Sequence, residues 1–220
     1  MKKQFSLITA LLIGLMLVVS PLASNAEVGK RVPQQQHKKC ISKNELKLHD
    51  DMRKLWEEHY KWTSRYITSA VSNLPDKDVV LARLMHNQED IGNLYKAYYG
   101  VSVGDKLTAL LKEHIAIAGK IIEAGKVGDQ ANLKKLNDDW FKNADDITDL
   151  LSSINKHYNK LILKGIFHKH LQMVTDEAVA RIKMDWQASV NAADAGEDHI
   201  MKLADFLSNG IVKQFPARFK

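Results

Sequence analysis

Residues 107–122 have the sequence LTALLKEHIAIAGKII, from which the fold class can be predicted. Its apolar side chains recur at intervals of three and four residues, which is the pattern of a helix with one buried face. His114 lies in the middle of that face. The apolar positions around it are Leu110, Leu111, Ile117, Ala118 and Ile122. The stretch therefore predicts a helix that carries a histidine into the core.

The same arrangement occurs at two other places in the chain. His59, His114 and His170 are spaced 55 and 56 residues apart, and each lies within an apolar helical stripe. Spacings of 56 and 56 separate the members of a second set, which consists of Asn87, Asn143 and His199. A period of this length indicates an internal threefold repeat with two helices in each unit.

Turn and capping signals divide the repeat region into six helices. Ser42 and Glu45 form a capping box at its start, and Ser102 and Asp105 form another. An offset of 56 residues from the turn at 128–129 predicts a further break at 184–185. The predicted helices are roughly 43–73, 76–99, 103–127, 129–154, 158–183 and 185–213.

Short connections make successive helices antiparallel neighbours. We therefore predict an all-α helical bundle of three tandem antiparallel hairpins with a pseudo-threefold internal repeat. The repeat alone leaves open whether the hairpins close into a ring or form an open array.

The first 26 residues have the features of a secretory signal peptide. Lys2 and Lys3 precede an apolar run of 13 residues, Leu7–Val19, and residues 24–26 fit a cleavage site. The run is short for a membrane span. We expect an exported protein, periplasmic or secreted, with no membrane-spanning helix after signal removal.

The mature chain is predicted to contain a polar linker, 27–41, and a single helical domain, 42–220. Loss of Lys2 and Lys3 lowers the formal net charge from +6 to +4, and this charge is spread along the chain. No basic stripe for a nucleic acid is predicted. The single cysteine, Cys40, has no partner within the chain, so packing alone must hold the fold. It could pair between chains or remain a free thiol.

The recurring polar residues predict one layer inside the bundle, because each lies at a similar distance from its turn as its partner. In one interpretation, each histidine hydrogen-bonds to its partner and fixes the register of the helices. In another, the layer binds a divalent transition metal such as Zn, Cu, Ni or Fe. The candidate ligands are His59, His114, His170 and His199. The candidate partners in the layer are Asn87 and Asn143, with Asp90 or Asp146 as acceptors for the histidine ligands. A third interpretation is a cavity for a small polar ligand.

Several catalytic and metal motifs are absent from the sequence. It has no Glu-x-x-His, no His-Glu-x-x-His, no Cys-x-x-Cys-His and no Gly-x-Ser-x-Gly. No catalytic residue is predicted on these grounds, and the sequence favours a binding or structural role over an enzymatic one.

Several segments together resemble a bacterial family. They are 55–63, 87–92, 98–100, 107–115, 143–147, 177–181 and 213–216. The chain from about residue 46 onward is similar to an uncharacterised exported all-helical family whose members often carry the automatic labels acetylglutamate kinase or glycosyltransferase. Those labels imply α/β nucleotide-binding domains, for which this sequence has no glycine-rich loop. The family itself implies no established activity or site.

We therefore expect an exported cell-envelope protein with an internal His/Asn layer. The alternatives are a transferase, as the family label implies, and a helical scaffold for protein interactions. Neither the partner nor any cofactor beyond the candidate metal is specified by the sequence.

Overall fold

The computed structural model describes residues 40–220, and the predicted signal peptide and most of the predicted linker lie outside the described residues. This part of the chain is all-α, as predicted. The helices are α1 Lys43–Val71, α2 Lys77–Tyr99, α3 Val101–Val127, α4 Gln130–Ile154, α5 Lys160–Ile182, α6 Trp186–Gln214 and a short 3-10 helix, Pro216–Phe219. Within residues 40–220, no helix combines the length and apolar character needed to cross a membrane.

Side-chain caps begin four of the six α-helices. Ser42 accepts a hydrogen bond from the backbone N–H of Glu45, as the predicted capping box requires. Asp129 starts α4 and Asp185 starts α6, each accepting from the N–H three residues ahead. Asn159 does the same for α5. These caps satisfy backbone donors that have no partner within the helix.

The predicted capping box at Ser102 and Asp105 is wrong. Helix α3 already begins at Val101, directly after Gly100, and no side chain caps it. Gly100 has a φ of 87°, a backbone conformation that glycine adopts without steric cost. A single residue therefore connects α2 and α3, and Ser102 lies inside the helix.

The break expected between α5 and α6 is present at Met184 and Asp185. Met184 has a φ of 59°, close to the 72° of Gly128 in the corresponding turn between α3 and α4. A left-handed conformation costs a residue with a Cβ about 1 kcal/mol. The turn geometry is thus kept at a position where the sequence no longer supplies glycine.

The six helices form a closed bundle. Each packs against the next in sequence, and α6 packs against α1. Helices α1, α3 and α5 also contact one another, so they form the centre. The contact between α2 and α3 is as extensive as the contacts inside the predicted hairpins, so the hairpins do not form separate layers. We call the end of the bundle at which α1, α3 and α5 terminate the upper end.

Helices α2 and α3 approach each other most tightly at two glycines. A Cβ on Gly104 would lie 2.6 Å from the carbonyl oxygen of Gly92, and a Cβ on Gly92 would lie 2.8 Å from that of Gly104. Both obstacles are backbone atoms, which cannot rotate away. The pair therefore sets the distance between the two helices.

We expect Gly104→Ala to lower the free energy of unfolding by roughly 1–3 kcal/mol, the usual cost of overpacking a tight contact. Gly165→Ala is the matched control, because Gly165 lies within α5 with no neighbouring atom within 4 Å of an added Cβ. That control should gain about 0.5–1 kcal/mol from helix propensity. Urea unfolding followed by circular dichroism measures both, and equal effects of the two substitutions would contradict the tight contact.

Candidate functional site: an internal histidine layer

Three of the predicted histidines meet at the centre of the bundle. His59 is on α1, His114 on α3 and His170 on α5, and each is only 2–3% exposed. The ring centroids of His59 and His170 are 5.7 Å apart, and those of His114 and His170 are 6.5 Å apart. The apolar stripes of the three inner helices thus bring the imidazoles together, as their place in the sequence repeat predicts.

His114 forms the pair that the sequence predicts. Its Nδ1 lies 2.9 Å from the Oδ1 of Asn143 on α4. The Nδ2 of Asn143 donates to the carbonyl of Leu110 and to the Glu113 carboxylate, each at 3.1 Å. These two donations fix the orientation of the amide. His114 must therefore carry its proton on Nδ1 and donate it to Asn143.

His59 has a different partner from the one predicted. Its Nδ1 lies 3.2 Å from the Nε2 of Gln88, a residue that we did not single out from the sequence. Asn87 donates to the carbonyl of Leu55 and accepts from Gln88, so it joins the network behind Gln88. The Nε2 of Gln88 also donates to the carbonyl of Leu84 at 2.8 Å, so its two protons face three acceptors, of which Nδ1 of His59 is one.

His170 lacks such a partner. Its Nδ1 is buried and forms no hydrogen bond. The ring contacts the other two imidazoles and Tyr60, whose ring centroid is 6.1 Å away. An unpaired buried polar atom costs about 1–3 kcal/mol, so Nδ1 of His170 destabilises the folded layer unless it gains a partner.

His199 and the two predicted carboxylates serve other contacts. The Nε2 of His199 donates to the carbonyl of Ile166 at 2.8 Å. Asp90 pairs with His86 and Arg83, and Asp146 pairs with Lys142. Neither carboxylate accepts from a central histidine. Their predicted role as acceptors is therefore not observed, because each lies on the polar side of its helix.

A buried carboxyl lies on the same side of α5 as His170, two turns further along. Glu177 is 2% exposed and accepts hydrogen bonds from Tyr60 Oη at 3.0 Å and Ser64 Oγ at 2.5 Å. Gly196 on α6 makes room, since a Cβ there would overlap the Tyr60 ring. Sequence reasoning missed Glu177. Its spacing of seven residues from His170 was the available signal, because that spacing places both on one helical face.

Burial determines the charge state of the layer. It lowers the pKa of His59 to about 3 and the pKa of His114 to about 4. The pKa of His170 also lies well below its ordinary value, first because of burial and then because of the neighbouring imidazoles. Burial raises the pKa of the Glu177 carboxyl. All three imidazoles are therefore neutral near pH 7.

The layer is not arranged as a finished metal site. Among residues 40–220, no group of three or more histidine, cysteine, aspartate or glutamate side chains is placed to hold a metal ion. Nδ1 of His59 and Nδ1 of His114 already contact amide groups of Gln88 and Asn143. The three imidazoles could ligate one metal ion only after their rings move closer together.

Comparisons with known proteins do not identify a family or a function for this chain. No protein-family model matches the chain, and no similar curated protein or solved structure was found. The fold and the layer define the class of this protein as an all-α bundle with a buried, neutral imidazole cluster.

We expect stability to fall as the pH falls from about 6.5 toward 4. The three histidines have a lower pKa when folded than when unfolded, so the unfolded chain takes up more protons in this range. Each contributes a slope of about 1.4 kcal/mol per pH unit. Glu177 has a raised pKa, so its protonation favours the folded state as the pH falls. The three histidines together outweigh this single opposing group.

The measurement is the free energy of urea unfolding between pH 7.5 and 5. His114→Gln should reduce the slope by about one proton, whereas His157→Gln, at an exposed position, should leave it unchanged. A wild-type stability that does not depend on pH across this range would show that the three imidazoles are not buried as neutral groups.

Proposed function

We propose that this chain is a non-enzymatic helical protein of the cell envelope that binds partners through its outer surface, and that its internal layer is architectural. The observation that carries the proposal is the pairing of two central imidazoles with amides on the adjacent helices. His59 joins α1 to α2 through Gln88, and His114 joins α3 to α4 through Asn143. Both pairs are shielded from solvent, with exposed fractions of 0–3%.

Such pairs fix the register of helices. If α4 slid by one turn along α3, the imidazole of His114 and the amide of Asn143 would both lose their partners inside the core. Each unsatisfied group would cost about 1–3 kcal/mol. A buried asparagine selects register in coiled coils by the same mechanism. The recurrence of these residues at 56-residue offsets supports a common origin of the three helical pairs.

The location is supported by the N-terminal sequence pattern. Lys2 and Lys3, the apolar run Leu7–Val19 and the small residues at 24–26 favour export to the periplasm or the medium. Because the histidine layer is buried, a partner from solution would meet the outer surface of the bundle before it met the layer. Charged residues cover much of that surface in exposed ion pairs such as Lys47–Asp51 and Lys142–Asp146.

Metal binding is the second candidate, and one observation favours it. Nδ1 of His170 is buried without a partner, and both neighbouring imidazoles lie within 6.5 Å of its ring. A divalent transition metal bound by His59, His114 and His170 would satisfy that nitrogen or its neighbour. Imidazole is a suitable ligand for Zn, Cu, Ni and Fe.

A double-mutant cycle on His114 and Asn143 tests the architectural role. We expect His114→Leu and Asn143→Leu each to cost about 1–3 kcal/mol, because each leaves a buried polar group unpaired. The double substitution should cost less than the sum by about 1 kcal/mol or more. The exposed pair Lys47–Asp51, replaced by alanines, is the control and should couple by at most about 0.5 kcal/mol. Additive effects at the buried pair would contradict the proposal.

Elemental analysis separates the two candidates. The protein is purified without a histidine tag or chelating resin, and metal content is measured before and after loading with zinc. The architectural layer predicts no stoichiometric metal in either sample. Stoichiometric metal that is lost in a His59→Gln, His114→Gln, His170→Gln triple variant would overturn the architectural role and establish the metal site.

A further inference from the structure

A groove opens at the upper end of the bundle between α3, α4 and α5. Its volume is about 530 Å³, which lies within the usual range for small-molecule sites. Its walls are largely apolar. The apolar side chains that line it are Ile121, Ile122, Leu133, Ala178, Val179 and Ile182. None of the layer histidines contributes to the groove, so it is a separate feature of the molecule.

The groove exists because α4 and α5 are joined at one end only. Lower along the pair, Asp145 of α4 binds Lys164 and His168 of α5 at 2.7 and 2.8 Å, and Phe141 packs edge-on against His168. Above Phe141, no such contact joins the first turns of α4 to the last turns of α5 among the hydrogen bonds and ion pairs of residues 40–220. The contact between these two helices is the least extensive of the sequential pairs.

The base of the groove is formed by closely packed parts of α3 and α5. A Cβ on Gly125 of α3 would lie 3.2 Å from Cδ1 of Ile182 on α5, so the two helices are already close behind the opening. Ile122 and Ala178 are 4% and 8% exposed and form the base. Val179, at 40% exposed, stands at the open side. The opening is therefore a preformed apolar slot between packed helices.

The charge at the groove has one sign. Lys134 and Lys183 are the only charged residues that line it, and no aspartate or glutamate does. Both lysines are exposed, and Lys134 is bound at 2.7 Å to Asp138, which lies outside the lining. An apolar groove with ammonium groups at its rim is complementary to an apolar chain that ends in an anion.

We propose that this groove binds the hydrocarbon chain of a small anionic amphiphile, such as a fatty acid, with the carboxylate placed at Lys134 and Lys183. Burial of the chain against the isoleucine, leucine and valine side chains supplies the driving force. The two lysines select the sign of the head group. The proposal rests on the surface-binding role proposed above, and it does not depend on whether the histidine layer holds a metal.

Titration calorimetry of the full mature protein with dodecanoate, kept below its micelle concentration, tests the site. Saturable binding of one dodecanoate is expected, and dodecyltrimethylammonium, which has the same chain and a cationic head, should bind at least about tenfold more weakly. Equal affinity for the two amphiphiles, or no saturable binding of dodecanoate, would overturn the proposal.

Two variants locate the binding. Val179→Glu places a carboxylate at the open side of the groove and should weaken dodecanoate binding by about tenfold or more. Val190→Glu, at an exposed valine of α6 outside the groove, is the matched control and should change it by less than about twofold. Equal effects of the two variants would show non-specific binding and overturn the site.

The double variant Lys134→Glu, Lys183→Glu keeps the apolar walls and reverses both charges, so the preference should shift toward dodecyltrimethylammonium. Because both lysines are exposed, this variant is expected to fold even if Val179→Glu does not. Sedimentation of the unliganded protein provides the competing outcome. A dimer that Val179→Glu dissociates would assign the groove to a second copy of this chain and overturn the amphiphile.

Failure of this proposal is distinguishable from failure of the architectural layer, the other part of the proposed function. Absence of dodecanoate binding removes the ligand assigned to the groove and leaves the architectural layer untouched. Stoichiometric metal at the histidines contradicts the architectural layer and leaves the groove assignment standing.

Discussion

Three imidazoles are buried in the core of the bundle, and the arrangement of the helices has to accommodate them. A buried imidazole stays neutral, and each ring nitrogen that lacks a hydrogen-bond partner within the protein lowers the stability of the fold. His59 and His114 find them in amides on the next helix, which ties each inner helix to an outer one at a fixed height. The tight crossing of α2 and α3 at Gly92 and Gly104 then fixes the spacing between neighbouring units. The hydrogen-bonded pairs thus set the relative height of the paired helices, and the glycine contact sets the distance between α2 and α3.

The polar groups of the core are not confined to one plane. Glu177 lies two turns above His170 and is bound by Tyr60 and Ser64, so a second polar cluster joins α1 to α5. At the lower end, Tyr158 donates to the carbonyl of Leu207, and Asn155 donates to Tyr99. Polar contacts therefore recur along the length of the inner surface. In such a bundle, the buried hydrogen bonds between helices help to select the native arrangement, together with the packing of the apolar surfaces.

Most of the fold could be predicted from the sequence because helix starts and the apolar period are local signals. The start of α3 was misplaced because a single glycine turn between helices leaves no room for a side-chain cap. At the layer, His114 and Asn143 were paired correctly, since their two-residue turn places them at equal distances from it. The choice between Asn87 and Gln88 was not predictable, because adjacent residues differ by about 100° around the helix and a five-residue connection leaves that rotation undetermined. Glu177 was overlooked because an isolated carboxyl is expected at the surface.

The contact between α6 and α1 delays completion of the core during folding. Helix α1 is buried partly by α6, and Arg53 pairs with Asp205 across 152 residues of sequence. A chain that emerges N-terminus first therefore exposes the part of α1 that α6 covers until the last thirty or so residues have been made. Local helices can form early, but the core is completed only by its last helix. Such a chain would remain incompletely folded through most of its synthesis, with apolar surface available to chaperones.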